Sequence, residues 1–365
     1  MKVAAGRLDR VYECYQAAYE AKALEVLRSG WYVLGKEVSA FEQEWANYIG
    51  VKHSVGVGNG LDALCIAFRI LNIGPGDEVV VCSNAFIACV IGITTNGALP
   101  VFVEPDQYDN IDAEKIEEKI SDRTRAILAV HLYGQACDMT RIMEIARKHR
   151  LKVVEDCSQS HGNHWRGQSV GAIGDIGCFS LYPTKGCGAF GDAGVITTND
   201  DELADKVRVF RNYGSRVRYH NEVVGTNSRL DELQAALLRI KLCHMDEMNE
   251  ERRIIAKRYS QGIHHPQIQL PKVRPGADST WHQYVVHVQD GRRDELMKYL
   301  DKNGIGSIIH YPIPPHLSEA YRYLGYQRGD FPIAEQYADE VLSIPMYNGM
   351  TVEETDYVIK KLNLF

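Results

Sequence analysis

Apolar positions in the first part of the chain recur at helical spacing. Val11, Tyr15, Ala18, Tyr19, Ala23, Val26 and Leu27 share one face until Ser29-Gly30, which predicts a helix over Val11–Arg28. A second helix is predicted over Val38–Tyr48. The period then changes. Short β-branched runs (HSVGVG, EVVVC, LPVFVE, RAILAVHLYG and LKVVEDC) alternate with the helical patterns LDALCIAFRIL, FIACVIGITT, IDAEKIEEKI and MTRIMEIARKH. Strands alternating with helices form βαβ units, so the expected fold is α/β, a large, mostly parallel sheet sandwiched by helices. Such sheets take ligands beyond the carboxyl ends of their strands, which directs attention to the residues that follow each apolar run.

After Asp200 the pattern shifts again. A helix over Asp201–Arg211 leads to an arginine-rich loop, Gly214 to Asn227, and then to a long helical segment from Ser228 to about Ile263. PQIQLPKVRPGAD reads as a linker, TWHQYVVHV alternates like a half-exposed strand, and RRDELMKYLDKNG reads as a helix closed by Gly304. GSIIHYPIPP ends in a proline-locked turn. The expected division is a large α/β domain over residues 1–228, with an N-terminal helix, and a connecting helix with a small α+β domain over residues 229–365.

Composition narrows the function. With 365 residues, 45% of them hydrophobic and 24% charged, the chain is an ordinary folded one rather than a disordered or fibrous one. The 41 Lys+Arg against 48 Asp+Glu leave a net charge of −7, so no global basic field recruits nucleic acid or an anionic membrane. An anionic ligand needs a local site. The nine cysteines are odd in number and contain no C-x-x-C pair, which points to a reducing compartment; with Arg7 and Asp9 preceding any apolar run, a cytoplasmic setting is expected, and no metal site is expected. No stretch approaches the roughly 18 apolar residues of a membrane span.

The chemistry concentrates around Lys185. It follows the apolar run Cys178–Tyr182 and precedes Gly186, Gly188, Gly191 and Gly194. The P-loop pattern G-x-x-x-x-G-K-[ST] is absent. The other chemistry that uses one lysine at a strand end, among small and apolar neighbours, is imine formation, because desolvation lowers the amine pKa. Alone, Lys185 reads more readily as a surface lysine in a turn, so partners decide. A pyridoxal phosphate site needs an acid at the pyridine nitrogen, and Asp156 ends the run LKVVED. Strand alternation sends Glu155 to the opposite face. Gln159, three residues on, can hydrogen-bond the cofactor's phenolic oxygen. The amides of Gly60 and Leu61, at the start of the helix after GVGN, can bind a phosphate, to which the Ser180 hydroxyl adds. A dinucleotide fingerprint fails there, since its third glycine falls on Leu61. Phe86, after EVVVC, can stack on a ring or serve as core.

The set GNGLDAL, EDCSQSHG, SLYPTK…GAFGDAG and TNSRLDELQAALL resembles the DegT/DnrJ/EryC1/StrS sugar aminotransferases, pyridoxal phosphate enzymes of fold type I, over nearly the whole chain. The resemblance implies a homodimer with active sites at the subunit interface. It matches Lys185 to the imine-forming lysine, Asp156 to the pyridinium partner, Gln159 to the phenolate contact, Phe86 to the stacking position and Ser180 to a phosphate ligand. Asn227 matches an asparagine that reaches the phosphate bound by the other subunit. An intact lysine, where some relatives carry histidine and act as dehydratases, favours transamination from L-glutamate to a nucleotide-linked keto sugar.

SGWYVLGKEVSAFE is closest to the subgroup that aminates C-3 of dTDP-linked 3-keto-6-deoxyhexoses, in which Tyr182, His310 and Tyr311 would lie near the sugar. Arg218 is the candidate for the pyrophosphate, with Arg216 its rival. Cys82 replaces a common proline, and Gly186 replaces a common asparagine after the lysine. The alternatives are a C-4 aminotransferase for UDP-linked 4-keto sugars and a non-catalytic sensor that keeps the cofactor.

Overall fold

The computed structural model describes the whole chain, residues 1–365. Its larger lobe is built on seven strands: β1 (His53–Val57), β2 (Glu78–Cys82), β3 (Leu99–Val103), β4 (Thr124–Val130), β5 (Lys152–Asp156), β6 (Ile176–Ser180) and β7 (Gly194–Thr198). Their order in the sheet is β1-β7-β6-β5-β4-β2-β3. The pairs from β6 through β3 are parallel, whereas β7 runs antiparallel to both β1 and β6. Parallel neighbours need a crossover helix, but antiparallel neighbours need only a loop. The β6–β7 loop is the glycine-rich segment carrying Lys185, so this one reversed strand leaves the lysine at the carboxyl end of the sheet. Val79, Val80 and Val81 of β2 are fully buried, as strands covered on both faces must be.

The helices are α1 (Leu8–Ser29), α2 (Lys36–Ile49), α3 (Gly60–Ile70), α4 (Ile87–Thr94), α5 (Met139–His149), α6 (Asp201–Phe210), α7 (Glu232–Leu242) and α8 (Met245–Gly262). The expected helix from Ser228 to Ile263 is therefore two helices. His244 leaves helical geometry between them, and its ring stacks on Tyr15 of α1 at 4.3 Å. Two other expectations also change. IDAEKIEEKI forms two short 3₁₀ turns, and the arginine-rich loop contains a small hairpin, Ser215–Val217 with His220–Asn221.

The smaller lobe has a three-stranded antiparallel sheet, β8 (Ile268–Gln269), β9 (Tyr284–Val288) and β10 (Val341–Ile344), with α9 (Arg293–Lys302), α10 (Pro332–Glu340) and α11 (Val352–Asn363). β8 lies inside the stretch expected to be a linker. β9 is central and buried at every residue rather than half-exposed. His287, on the face expected to meet solvent, instead meets Asp109 of the large lobe at 2.9 Å. Each lobe has its own apolar core, and Val3 from the N-terminus packs into the smaller one. α8 spans both cores, with Met245 in the larger and Ile255 in the smaller.

Candidate active site

Lys185 lies where the two lobes meet, on a loop held by bonds from three directions. The Cys187 N–H donates to Nδ1 of His161 at 3.0 Å, Lys241 Nζ of α7 donates to the Gly188 carbonyl at 2.9 Å, and the Phe190 N–H donates to Oε1 of Gln234 at 2.8 Å. The Lys185 N–H donates to the Tyr182 carbonyl at 2.8 Å, while no protein acceptor takes its Nζ. Burial lowers the Lys185 pKa to about 8, and the charge of Asp156 opposes that shift without cancelling it. A minority of the amine is thus neutral near physiological pH, far more than for an ordinary lysine, and the neutral form is the nucleophile and the base.

Asp156 ends β5 and is 6% exposed. Its Oδ1 accepts the Ser158 N–H at 3.0 Å and its Oδ2 accepts the Cys89 thiol at 3.1 Å. A carboxylate has about four acceptor positions, so both oxygens keep room for a further donor. Cys89, which sequence reasoning missed, sits at helical spacing inside α4 and reads there as plain core. Glu155 points the other way, as strand alternation requires. It accepts the N–H groups of Gly171, Ile173 and Gly174 and meets buried His131, so it is structural.

Above this pair is the start of α3. Asn59 caps the helix by accepting the Asp62 N–H at 2.8 Å, an interaction worth roughly 1 kcal/mol. The first-turn amides of Gly60 and Leu61 have no acceptor within the helix and carry the positive end of its dipole. Ser180 packs directly against Gly60, where a Cβ would overlap the Ser180 side chain. Only glycine allows β6 and α3 to approach so closely, and the approach brings a hydroxyl beside the free amides. A phosphate fits this cradle. Together, the cradle, the buried acid and the unpartnered amine suit pyridoxal phosphate.

Four further predicted residues form one network. Gln159 accepts the Tyr133 N–H at 2.7 Å and donates to Tyr311 Oη at 3.0 Å, and the Tyr311 ring lies 4.9 Å from that of Phe86. His310 contacts Gln283 Nε2 at 2.9 Å and Ser343 Oγ at 2.8 Å, and its carbonyl accepts the Tyr133 hydroxyl. Burial, aided by the Lys185 charge, lowers the His310 pKa to about 4 and keeps the imidazole neutral. Burial raises the Tyr311 pKa, so its hydroxyl stays protonated.

Tyr182 is exposed beside the lysine. Asn227 and Arg218 join none of these groups within the chain. Asn227 is exposed and pairs through its backbone with Asn212, while Arg218 lies over the Tyr219 ring at 5.0 Å. Arg216 is occupied by Asp205 and Glu222, which leaves Arg218 the free cation of the hairpin.

The fold and this constellation define a lysine-dependent enzyme of the aminotransferase type, with a lysine, a buried aspartate and a phosphate cradle at the strand ends. The chain belongs to the DegT/DnrJ/EryC1/StrS aminotransferase family, whose profile it matches over residues 13–363. It is 50% identical over 352 residues to dTDP-3-amino-3,6-dideoxy-alpha-D-galactopyranose transaminase of Aneurinibacillus thermoaerophilus, covering 96% of each chain. The crystal structure of Streptomyces venezuelae DesV in complex with a ketimine intermediate superposes with a TM-score of 0.97 at 44% identity, over 100% of this chain and 98% of that one. NtdA of Bacillus subtilis with bound cofactor PMP superposes at 0.92 with 31% identity, over 99% of this chain and 84% of that one. No helix of the chain is long and apolar enough to cross a membrane.

Proposed function

We propose that this chain is a pyridoxal phosphate-dependent aminotransferase that moves the amino group of L-glutamate to C-3 of a dTDP-linked 3-keto-6-deoxyhexose. The products are a dTDP-3-amino-3,6-dideoxyhexose and 2-oxoglutarate, for surface polysaccharide or glycoside synthesis in the cytoplasm. The observation that carries the reading is the Lys185 amine, without a protein acceptor and with its pKa lowered to about 8, in the field of buried Asp156. The 50% identity to a transaminase named for a dTDP-3-amino sugar supports the position of amination.

The cofactor supplies an electron-withdrawing pyridinium conjugated to the transferred nitrogen. The rest falls to the chain. The amides of Gly60 and Leu61 with Ser180 Oγ would anchor the phosphate, Asp156 would keep the ring nitrogen protonated, Gln159 would bond the phenolic oxygen and Phe86 would cover the ring. With the cofactor bound, Lys185 Nζ would serve as the base for the amino donor's Cα proton and then as the acid that gives a proton back. Neutral His310 and Tyr311, with Tyr182, offer donors and acceptors to the uncharged sugar, and Arg218 faces the diphosphate. The exposure of Asn227 leaves it open to the phosphate of a second subunit in a homodimer.

The test is product analysis by NMR after incubation with L-glutamate and either a dTDP-linked 3-keto or a UDP-linked 4-keto sugar. Nitrogen at C-3 is expected. Nitrogen only at C-4 would overturn the regiochemistry, and no half-reaction in cofactor-loaded protein would mean a sensor. A second result follows from the shifted amine. In the apoenzyme the reactive fraction of Lys185 rises as pH passes through about 8, below the ordinary 10.5. The rate of cofactor capture, followed by absorbance, should therefore rise with a midpoint near that lower value. A midpoint at the ordinary lysine value would show that burial does not tune this amine.

A further inference from the structure

A cavity of about 310 Å³ lies on the small-lobe side of Lys185, between the lobes. Its lining contains Lys185, Lys241, Arg252 and Arg7, and not one aspartate or glutamate. Arg7 is neutralised by Asp9. Lys241 and Arg252 differ. They are 6% and 7% exposed, and neither forms an ion pair. Arg252 Nε donates to Asn348 Oδ1 at 2.9 Å and Nη1 to the carbonyls of Trp281 and His282 at 3.2 Å each, but Nη2 has no protein acceptor. Lys241 uses one of its three donors, on the Gly188 carbonyl.

Buried cations are costly unless paired. Burial lowers the Arg252 pKa to about 10 against a smaller opposing pull from the Glu251 carboxylate, and burial together with the Arg252 charge lowers that of Lys241. Buried His161, pushed to about 3 by burial and then by the charges of Lys185, Lys241 and Arg252, registers the same excess. Uncharged polar groups on the wall are unpartnered too: His282 Nδ1, Gln283 Oε1 and Tyr347 Oη are buried with no hydrogen-bond partner. A wall with two unpaired buried cations, orphaned Tyr347 Oη and His282 Nδ1 able to donate, and no acid is complementary to a small dianion.

The geometry points to Arg252 and Lys241 as the recognition site for the two carboxylates of a dicarboxylic amino donor, and for its 2-oxo acid product, beside Lys185. This rests on the aminotransferase reading and names the donor class through residues not assigned there. The two unpaired cations match the donor's two negative charges. On the proposed reading the diphosphate goes to the exposed Arg218 hairpin, which would give the two substrates of the cycle separate cationic elements.

The probe is glutarate, a dicarboxylate without an amine, titrated calorimetrically into the holoenzyme beside butyrate and dTDP. Glutarate should bind about tenfold or more tightly than butyrate, as expected for an added charge-assisted contact. Arg252→Gln and Lys241→Gln should each weaken glutarate by about tenfold or more and leave dTDP within about twofold. In the half-reaction they should raise KM for L-glutamate more than they lower kcat. Equal binding of glutarate and butyrate would overturn the proposal, as would variants that bind glutarate normally or lose dTDP instead. Arg252 also holds three backbone or side-chain acceptors. If Arg252→Gln fails to fold, Lys241→Gln and the wild-type comparison of the two acids decide the matter. A holoenzyme that accepts no amino group from glutamate refutes the transaminase reading. One that accepts it without preferring dicarboxylates refutes only this site.

Discussion

Lys185→Ala should abolish amino transfer, with single-turnover rates from L-glutamate falling by about 10⁴-fold, the upper end of what a positioned acid–base group contributes. The visible absorption that reports the lysine-linked cofactor should vanish with it, while cofactor remains bound through the α3 cradle. Stability should hold or rise slightly. The Lys185 Nζ has no protein acceptor, its loop is fixed by the bonds of Cys187, Gly188 and Phe190, and the substitution deletes an amine whose charged form is penalised by burial. Melting curves of wild type and variant therefore separate a chemical role from a structural one. A variant that retains the absorption band would place the imine on another lysine.

The residues just named were legible because their signal is local. Asp156 ends an apolar run and Lys185 closely follows one, and in a parallel sheet the carboxyl ends of strands converge on one edge. The same rule, with strand alternation, separated Asp156 from Glu155. Gly60 was legible from its place between a strand and a helix, although its reason, the contact with Ser180, is tertiary.

What escaped the sequence depends on which surface covers which. Arg252 lies in MDEMNEERRIIAK, where the polar residues read as the solvated face of a long helix. It is buried because α8 crosses to the small lobe and runs under the Trp281–His282 segment. Lys241 looks equally ordinary until the glycine-rich loop closes over it. β9 was read as half-exposed for the same reason: alternation records residue types, whereas its central place between β8 and β10, and the pairing of His287 with Asp109, set its burial. The break at His244 had no helix-breaking residue to announce it, only a stacking partner far away in the chain.

Asp156→Asn should be the second most damaging change, with turnover reduced by about a hundredfold or more. The substitution keeps the shape of the side chain and removes its charge, so the cost is electrostatic. Breaking one side of a buried charged pair typically costs about 3–5 kcal/mol, which is the source of that factor. Asparagine also turns an amide N–H₂ toward one of two donors that the carboxylate now accepts, the Ser158 N–H or the Cys89 thiol. The signature that distinguishes this role from general damage lies on the lysine. The Asp156 charge is what holds the Lys185 pKa up against desolvation, so its loss should move the apoenzyme's cofactor-capture midpoint below about 8. An inert packing residue would leave that midpoint in place. Cys89→Ala offers the complementary control, because it removes a donor to Oδ2 while keeping the charge, and should move the midpoint far less than Asp156→Asn does.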